Sequence, residues 1–445
     1  MSKSRGTISK GVDPVLIWLY LLLVGIGITS IFAVTYNVDD PVISSFLGFK
    51  TDYSKQFYFF VFGAILAVFI LLTDSKFFAA TANLWYIVGF VLLLLVFPFH
   101  SKVKSTASII RFGGFQFQPA EFMKICVALA LAKYLSLPNM DFSKRRSQLI
   151  AAAIAIVPAL ITILQKETGL ALVFFAFFLV MYREGLPPTI LVIGFSVAVL
   201  VIASIIIEPN LMAVILTAIA AILIILNRRQ IKRRKGVLVT IIFLWALCVG
   251  IQRFAVPFIF SSVLQKHQVE RIYSLFGKDN PYSDLPPAEA NAQSGKRENT
   301  ADYNVRQSKI AIGSGGVFGK GLLSGTQTRY DFVPEQRTDF IFCTIGEGFG
   351  FVGTFILVLI YTILLFRIVT IAERQRSTFS RCYAYGVAGV LFFHIAINIG
   401  MTIGLAPVIG IPLPFISYGG TSLLTFTILL FILIRLDADR QMILR

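Results

Sequence analysis

Long runs of apolar residues recur from one end of this chain to the other, and no other feature constrains its fold as strongly. A helix that crosses a bilayer needs about 20 such residues, because every backbone amide in the hydrocarbon must be hydrogen-bonded within its own segment. The 445-residue chain is 56% hydrophobic and 14% charged, with a mean hydropathy of +0.80, which excludes an ordinary water-soluble globule. We therefore expect an all-α, polytopic membrane protein.

The apolar runs predict twelve spans in a single membrane domain that covers residues 1–445. The first run is too long for the apolar core of a signal peptide, so we expect it to be an uncleaved anchor. The predicted spans are 15–36, 56–73, 78–99, 119–137, 148–165, 168–182, 188–207, 211–226, 236–258, 340–366, 384–402 and 415–435.

The basic loops orient these spans. Short loops rich in Lys and Arg stay in the cytoplasm, and 143–146, 228–235 and 374–381 all fall on the same side of the membrane. Both termini are then cytoplasmic; only the basic loop 100–118 conflicts, because it falls outside. The formal net charge of +17 does not indicate a nucleic-acid partner, since the charges lie between helices and not on a soluble module.

The cysteines and histidines do not indicate a metal site. The four cysteines lie singly in apolar stretches, without the paired spacing of a disulfide framework or a zinc site. The three histidines are far apart, and a lone histidine is more often a packed side chain than a ligand. The sequence leaves the cofactor open: no metal site is evident, although a divalent cation is compatible with it.

The same orientation places the long segment 261–338 outside the cytoplasm. Residues 278–302 are rich in Pro, Asn, Ser and charge, which predicts a flexible excursion. Residues 303–342 mix glycines, aromatics and charges, which favours an ordered structure with a functional role.

Two short motifs resemble known sites but do not fit them. The run 311–321 is glycine-rich, but a phosphate-binding loop needs glycine and Ser or Thr where this chain has Ser314 and Gly321. We expect a tight, partly buried turn there. The acidic pair Asp437 and Asp439 follows the last predicted span between arginines, and we interpret it as a solvated tail.

Ionisable residues in or beside the spans are stronger candidates, because a charge in hydrocarbon costs at least about 2.5 kcal/mol and usually marks a cavity or a partner. Glu121 and Lys124 share one helix face, which fits either a structural ion pair or a substrate site. Glu167 and Glu347 lie at or near the ends of spans. Asp339 is either a catalytic base in an aromatic setting or the cap of the following helix, and the residues alone leave both interpretations open.

Several longer motifs resemble one family. They are Gln118-Pro119-Ala120-Glu121 with Lys124, Gln307 to Gly316, Gly325 to Thr328, Val333 to Phe342, Asn398 to Met401, Pro407 to Gly410 and Pro412 to Ser422. Together they resemble the RodA and FtsW family of shape, elongation, division and sporulation proteins, over about residues 110–425. Two of these runs, 325–327 and 407–412, resemble the elongation branch more than the division branch.

The resemblance implies a peptidoglycan glycosyltransferase in the bacterial cytoplasmic membrane, with its active site on the extracytoplasmic face. Asp339 falls on the family's essential aspartate, and would deprotonate the acceptor sugar while lipid II is polymerised into β-1,4 glycan. The implied partners are lipid II, a class B penicillin-binding protein, other elongation-complex proteins and membrane lipids. The substrate-binding candidates are Glu121, Lys124, Glu167, Arg271, Lys309, Lys320, Arg337, Glu347, Ser417 and Tyr418.

The chain also departs from the family pattern. Gly348 follows Glu347 where the family has a second acid, Glu167 stands where it has an Asp, and Ile109 lies near an expected tryptophan. The family has ten spans, so we expect an inserted helix pair within 188–258. A lipid II transporter and a noncatalytic scaffold for a transpeptidase are the alternative functions.

Overall fold

The structure is a computed structural model that describes residues 11–36, 46, 48–99, 101–103, 106–112, 115–234, 236–264, 269, 273 and 300–440. Its α-helices, numbered in chain order, are α1 Pro14–Thr35, α2 Asp52–Leu72, α3 Ser75–Phe99, α4 Pro119–Leu135, α5 Arg145–Leu164, α6 Thr168–Val173, α7 Ala176–Arg183, α8 Pro188–Ile206, α9 Pro209–Leu226, α10 Arg228–Arg233, α11 Gly236–Gly250, α12 Val256–Phe258, α13 Thr300–Ser314, α14 Thr326–Arg329, α15 Ile341–Arg374, α16 Thr378–Thr402 and α17 Gly420–Ala438. Segments Ile251–Ala255 and Ile259–Val263 are π-helical and continue α11.

Each predicted span overlaps observed helix. Within the described ranges, ten helices are long and apolar enough to cross a membrane. The other two predicted spans correspond to α4, which has 17 residues, and to the short helices α6 and α7. The polytopic helical fold is thus confirmed, while the number of crossings and the cytoplasmic termini stay predictions.

One small sheet interrupts the helical architecture. Strands β1 Ser101–Val103, β2 Thr106–Phe112 and β3 Phe115–Phe117 form an antiparallel sheet in the order β1-β2-β3. In the second pairing Ile110 faces Phe117 and Phe112 faces Phe115. The basic loop that conflicted with the orientation is therefore a folded meander, which the apolar periodicity of the chain did not predict.

The chain divides into two compact units, the first formed by 1–186 and 304–445 and the second by 187–303. In the second unit only 6–11% of the residues in the apolar windows of α8, α9 and the helix 236–262 are buried, as is common for spans that face lipid. Its small core is formed by Ile205, Val256, Phe260, Val269 and Tyr273. The predicted helix insertion lies in this unit, and the insertion itself stays a prediction.

The core of the first unit is formed around α17, α16 and α4. In the apolar window of α17, 89% of the residues are buried, compared with 17% in that of α2. A helix that is apolar on every side is expected to be surrounded by other helices. The alanine-rich α4 packs between α3 and α16, and α17 packs against α2. These central helices position the segments that carry the candidate site.

The acidic pair after the last span is not a solvated tail, so that expectation is wrong. Asp437 is fully buried and forms an ion pair with Arg374. The same guanidinium also pairs with Asp13, with Arg374 Nη2 3.2 Å from Asp13 Oδ2. Asp13 also caps α1, where its Oδ1 accepts from Val15 N at 3.1 Å, and it lies 2.7 Å from Arg367. The two ends of the first unit are therefore joined by buried ion pairs, because an arginine of α15 reaches both acids.

Candidate active site around Asp339

Asp339 ends a turn directly before the long helix α15. The turn closes where Phe340 N donates to Glu335 O at 3.1 Å, with Glu335 at a φ of +57°. The N-cap position of α15 is Phe340, one residue after Asp339. The Asp339 side chain is half-buried, which leaves part of it accessible.

Three consecutive carbonyls of this turn accept hydrogen bonds from the C-terminal part of the chain. Tyr418 N donates to Arg337 O at 2.9 Å, and Ser417 Oγ donates to Thr338 O at 2.6 Å. Asn398 Nδ2 donates to Asp339 O at 2.9 Å. We call these three bonds the carbonyl clamp. They fix the backbone that carries the carboxylate of Asp339.

Two of the clamp residues are themselves bound to the segment that precedes α17. Asn398 also donates to Ile411 O at 2.6 Å, and Ser417 Oγ accepts from Leu413 N at 2.8 Å. Ser417 is 3% exposed. Its hydroxyl thus bridges two backbone segments, a role that has no signal in the sequence beyond the motif itself.

Gly410 lies directly beside the carboxylate. Its φ is +73°, a region that side chains disfavour, and a Cβ built on it would lie 3.3 Å from Asp339 Oδ2. Glycine at this position leaves space next to the candidate base.

A second cluster lies beside the turn. Arg337 Nη1 is 2.8 Å from Asp52 Oδ2, and the Arg337 side chain is 41% exposed. Burial, with the negative charge of Asp52, raises the pKa of the Tyr418 hydroxyl to about 12, so it stays neutral at physiological pH. Gln56 holds the same segment, since its side chain bonds Ser417 O and Gly419 N. Sequence reasoning missed Asp52 and Gln56, because the contact joins the start of α2 to residues more than 280 positions away.

Lys320 and Glu347 form an ion pair at the start of α15. Glu347 is fully buried, and it accepts from Lys320 Nζ at 2.9 Å. The same carboxylate accepts from the backbone N–H groups of Thr326, Gln327 and Thr328 at 2.8–2.9 Å. Both residues were predicted to bind substrate; the structure shows that Glu347 binds the chain itself and organises the segment before Asp339.

The glycine-rich run packs against the same part of α15. Backbone N–H groups of Lys320 and Gly321 donate to Glu347 O and Gly348 O at 3.0 and 2.9 Å. A Cβ on Gly319 would lie 2.2 Å from Gly348 O, so only glycine permits this approach. Gly350, at a φ of 66° and a ψ of −159°, breaks the helix at the contact. Residues 315–321 thus form a tight packed turn, as expected, whereas 311–314 of the same run are the end of α13.

Glu121 and Lys124 form a buried ion pair, 2.8 Å apart, with side chains 1% and 0% exposed. Lys124 Nζ is also 2.7 Å from Nε2 of His394, which the sequence suggested was only a packed side chain. In this conformation neither charged group of the pair reaches solvent.

The remaining candidates lie in other places. Glu167 accepts from Ser108 of strand β2 at 2.6 Å. The exposed Lys309 lies against Gly404. A Cβ built on Gly404 would be only 2.4 Å from Lys309 Nζ. Arg271 is outside the described residues. Among the residues that the structure describes, no three His, Cys, Asp or Glu side chains are grouped as a metal site.

Comparison with known proteins gives a consistent result. The model of the FtsW, RodA and SpoVE family, described as "Cell cycle protein", matches residues 14–233 and 184–442. Peptidoglycan glycosyltransferase MrdB of Escherichia coli K12 is 30% identical over 381 residues, which are 86% of this chain and 84% of that protein. Peptidoglycan glycosyltransferase RodA of Treponema pallidum is 29% identical in an alignment 456 positions long, which covers 96% of this chain and 97% of that protein.

Solved structures show the same fold. A chain of a peptidoglycan synthase complex that coordinates polymerization and crosslinking aligns with a TM-score of 0.66 and 22% identity, covering 96% of this chain and 98% of that chain. The crystal structure of the rod shape determining protein RodA of Thermus thermophilus aligns with a TM-score of 0.60 and 22% identity, covering 97% and 98%.

Proposed function

The chain belongs to the FtsW, RodA and SpoVE family and is a peptidoglycan glycosyltransferase, and on that premise we propose that it polymerises lipid II with Asp339 as the general base. The observation that carries this proposal is the carbonyl clamp. Three successive hydrogen bonds fix the backbone at Asp339 while its side chain stays partly accessible. A base must be held within hydrogen-bond reach of the proton it removes, so this arrangement suits the role.

The proposed reaction is a single displacement. Asp339 takes the proton of the 4-hydroxyl of the acceptor N-acetylglucosamine, and that oxygen bonds to the anomeric carbon of the muramyl donor. The bond from this carbon to the pyrophosphate oxygen breaks, and undecaprenyl pyrophosphate leaves with the electron pair. Inversion at the α-linked carbon gives the β-1,4 bond.

The leaving group develops negative charge, which nearby cations stabilise. Arg337 and Lys309 suit this role, because both side chains are accessible to a ligand. Lys320 suits it less, since its ammonium is shared by Glu347, Ser314 and Thr326. A divalent cation bound to the pyrophosphate remains compatible with the site.

The wider setting follows from the same premise. We place the protein in the bacterial cytoplasmic membrane with Asp339 on the extracytoplasmic face, acting in cell elongation beside a class B penicillin-binding protein. The relatives named MrdB and RodA and the fold of a chain from a peptidoglycan synthase complex support this assignment.

The test is polymerisation of lipid II by the purified protein with its transpeptidase partner. We expect Asp339→Asn to lower the rate of glycan formation by at least about 100-fold, the lower end of what general base catalysis contributes. Asp141→Asn is the matched control, because it makes the same change on an exposed loop residue and should leave the rate unchanged. Normal polymerisation by Asp339→Asn would overturn the assignment.

A lipid II transporter is the second candidate, and the buried ionisable group of Glu121, Lys124 and His394 is the observation that favours it. Proteoliposomes that carry labelled lipid II separate the two functions. A transporter moves the label between leaflets without forming polymer, whereas the transferase forms polymer from lipid II supplied on one face.

A further inference from the structure

Two buried side chains of α16 hold the segment that lies beside Asp339. His394 and Asn398 are four residues apart, so they occupy the same face of the helix, and both are fully buried. Asn398 donates to Ile411 O, and His394 Nδ1 lies 3.1 Å from the next carbonyl, Pro412 O. One face of α16 thus contacts two adjacent backbone carbonyls of the segment 410–417.

The contacts of His394 define its tautomer. A carbonyl oxygen can only accept, so Nδ1 must carry the proton that it donates to Pro412 O. Nε2 is then the acceptor, and it faces the ammonium of Lys124 at 2.7 Å. A lysine ammonium can only donate, which makes the two contacts mutually consistent. Glu121, 2.8 Å from Lys124 Nζ, balances the lysine charge.

The segment held by His394 is the one that surrounds the candidate base. Gly410 lies against the carboxylate of Asp339, and Ser417 Oγ joins Leu413 N to Thr338 O. A shift of Pro412 would therefore change the distance between Gly410 and the Asp339 carboxylate, and it would also disturb the Ser417 bond of the carbonyl clamp. The buried pair Glu121 and Lys124 is connected to the site through this one imidazole.

We propose that His394 is a positioning residue for glycosyl transfer: its Nδ1–H donates to Pro412 O and so holds the segment 410–417 in place. Lys124 donates to Nε2 of His394 and thereby stabilises the tautomer that carries its proton on Nδ1. The inference rests on the proposed role of Asp339. It gives Lys124 a task that does not require contact with substrate, in agreement with its complete burial.

Substitution of His394 by Asn or Gln distinguishes the hydrogen bond made by Nδ1 from the one made by Nε2. In His394→Asn the amide nitrogen can take the place of Nδ1 and still donate to Pro412 O. In His394→Gln the amide oxygen can take the place of Nε2 and accept from Lys124, but the donor to Pro412 is lost. His394→Leu removes both contacts.

We expect His394→Leu and His394→Gln to lower kcat for lipid II polymerisation about 10- to 100-fold, as small misplacements of a catalytic group do, with KM unchanged. His394→Asn should restore kcat to within about threefold of the wild type, because it keeps the donor to Pro412 O and so the position of the segment 410–417. The measurement is steady-state polymerisation by the full chain with its partner, alongside thermal unfolding in detergent.

Tyr383→Phe is the matched control for a purely structural effect. Tyr383 is a buried residue of the same helix, and its hydroxyl donates to Leu429 O at 3.2 Å, away from the segment 410–417. We expect this variant to unfold at a lower temperature with kcat unchanged.

The outcomes distinguish this inference from the function on which it rests. If Asp339→Asn is inactive but His394→Leu keeps the wild-type kcat, or if His394→Asn is as impaired as His394→Leu, the positioning role is wrong and the general base stands. If Asp339→Asn polymerises normally, the general base is wrong. A kcat that falls in Tyr383→Phe as far as in His394→Leu also overturns the positioning role.

Discussion

Ser417 joins two backbone segments through one oxygen, since it accepts from Leu413 N and donates to Thr338 O. Ser417→Ala leaves the buried N–H of Leu413 and the partly buried carbonyl of Thr338 without these partners, at a cost of about 1–3 kcal/mol. We expect kcat for glycan polymerisation to fall about tenfold or more, while lipid II binding, measured by titration, is retained.

The matched control for this change is Ser30→Ala. Ser30 is also buried, but its hydroxyl donates only to Ile26 O, one turn earlier in its own helix. Its loss should leave polymerisation unchanged. Equal kcat values for the two alanine variants would contradict the role of the carbonyl clamp.

Gly410 provides a second prediction at this scale. Gly410→Ala places a methyl group 3.3 Å from Asp339 Oδ2 at a φ of +73°, which side chains rarely adopt. We expect loss of polymerase activity together with a lower unfolding temperature. In Gly25→Ala, a control where a Cβ meets nothing within 4 Å, helix propensity should raise stability by about 0.5–1 kcal/mol and leave activity intact.

The identity of Asp339 as a candidate could be predicted from sequence, but its surroundings could not. An acid directly before a span is a local pattern, whereas Asn398 donates to Asp339 O and Ser417 donates to Thr338 O across 59 and 79 positions. His394 was missed for the same reason, because a buried imidazole has no sequence signal until its partners on other helices are known.

At the scale of elements, the Glu347 carboxylate connects α15 to α14 and to the loop before it. Glu347→Gln keeps the shape of the side chain but removes the charge, and charge-assisted hydrogen bonds are about twice as strong as neutral ones. We expect the amides of Thr326, Gln327 and Thr328 to exchange with deuterium at least about tenfold faster, as measured by mass spectrometry.

Glu373→Gln is the control for that experiment. It breaks an ion pair with Arg183 in which both side chains are 51% exposed, and such pairs contribute about 0–1 kcal/mol. Unchanged exchange of residues 326–328 in Glu347→Gln would show that the carboxylate does not order this segment.

The helices were predictable because their apolar runs are long, and each predicted span overlaps observed helix. The three-stranded sheet and the break at Gly350 were not, because they depend on contacts. Gly350 adopts a φ of 66° where the glycine-rich turn donates to and accepts from the backbone of α15. Periodicity alone describes α15 as one continuous helix.

At the scale of the whole molecule, buried ion pairs join the two ends of the first unit, and they predict a pH dependence. Burial by itself would raise the pKa of Asp13, but its hydrogen bonds and charge interaction with Arg367 outweigh burial and hold the pKa below its ordinary value. A depressed carboxyl pKa stabilises the fold above the unfolded value of about 3.9, and this contribution is lost as the pH falls through the folded value.

We therefore expect the unfolding temperature in detergent to fall more steeply below about pH 4 in the wild type than in Asp13→Asn. The difference between the two proteins should be constant from about pH 5 to pH 7, where Asp13 is ionised in both the folded and unfolded states. Parallel curves down to pH 3 would mean that the Asp13 pairs do not contribute to stability.

The carbonyl clamp also has a consequence for synthesis. Its donors at 398, 417 and 418 follow the turn at Arg337 to Asp339 by 59 positions or more; α15 lies between the turn and Asn398, which is part of α16. A nascent chain that ends before Asn398 has therefore inserted Asp339 without any of the groups of the carbonyl clamp. We expect the candidate active site to form only after Tyr418 has been translated, so a chain that stalls between Arg374 and Asn398 should be inactive although α1 to α15 are already made.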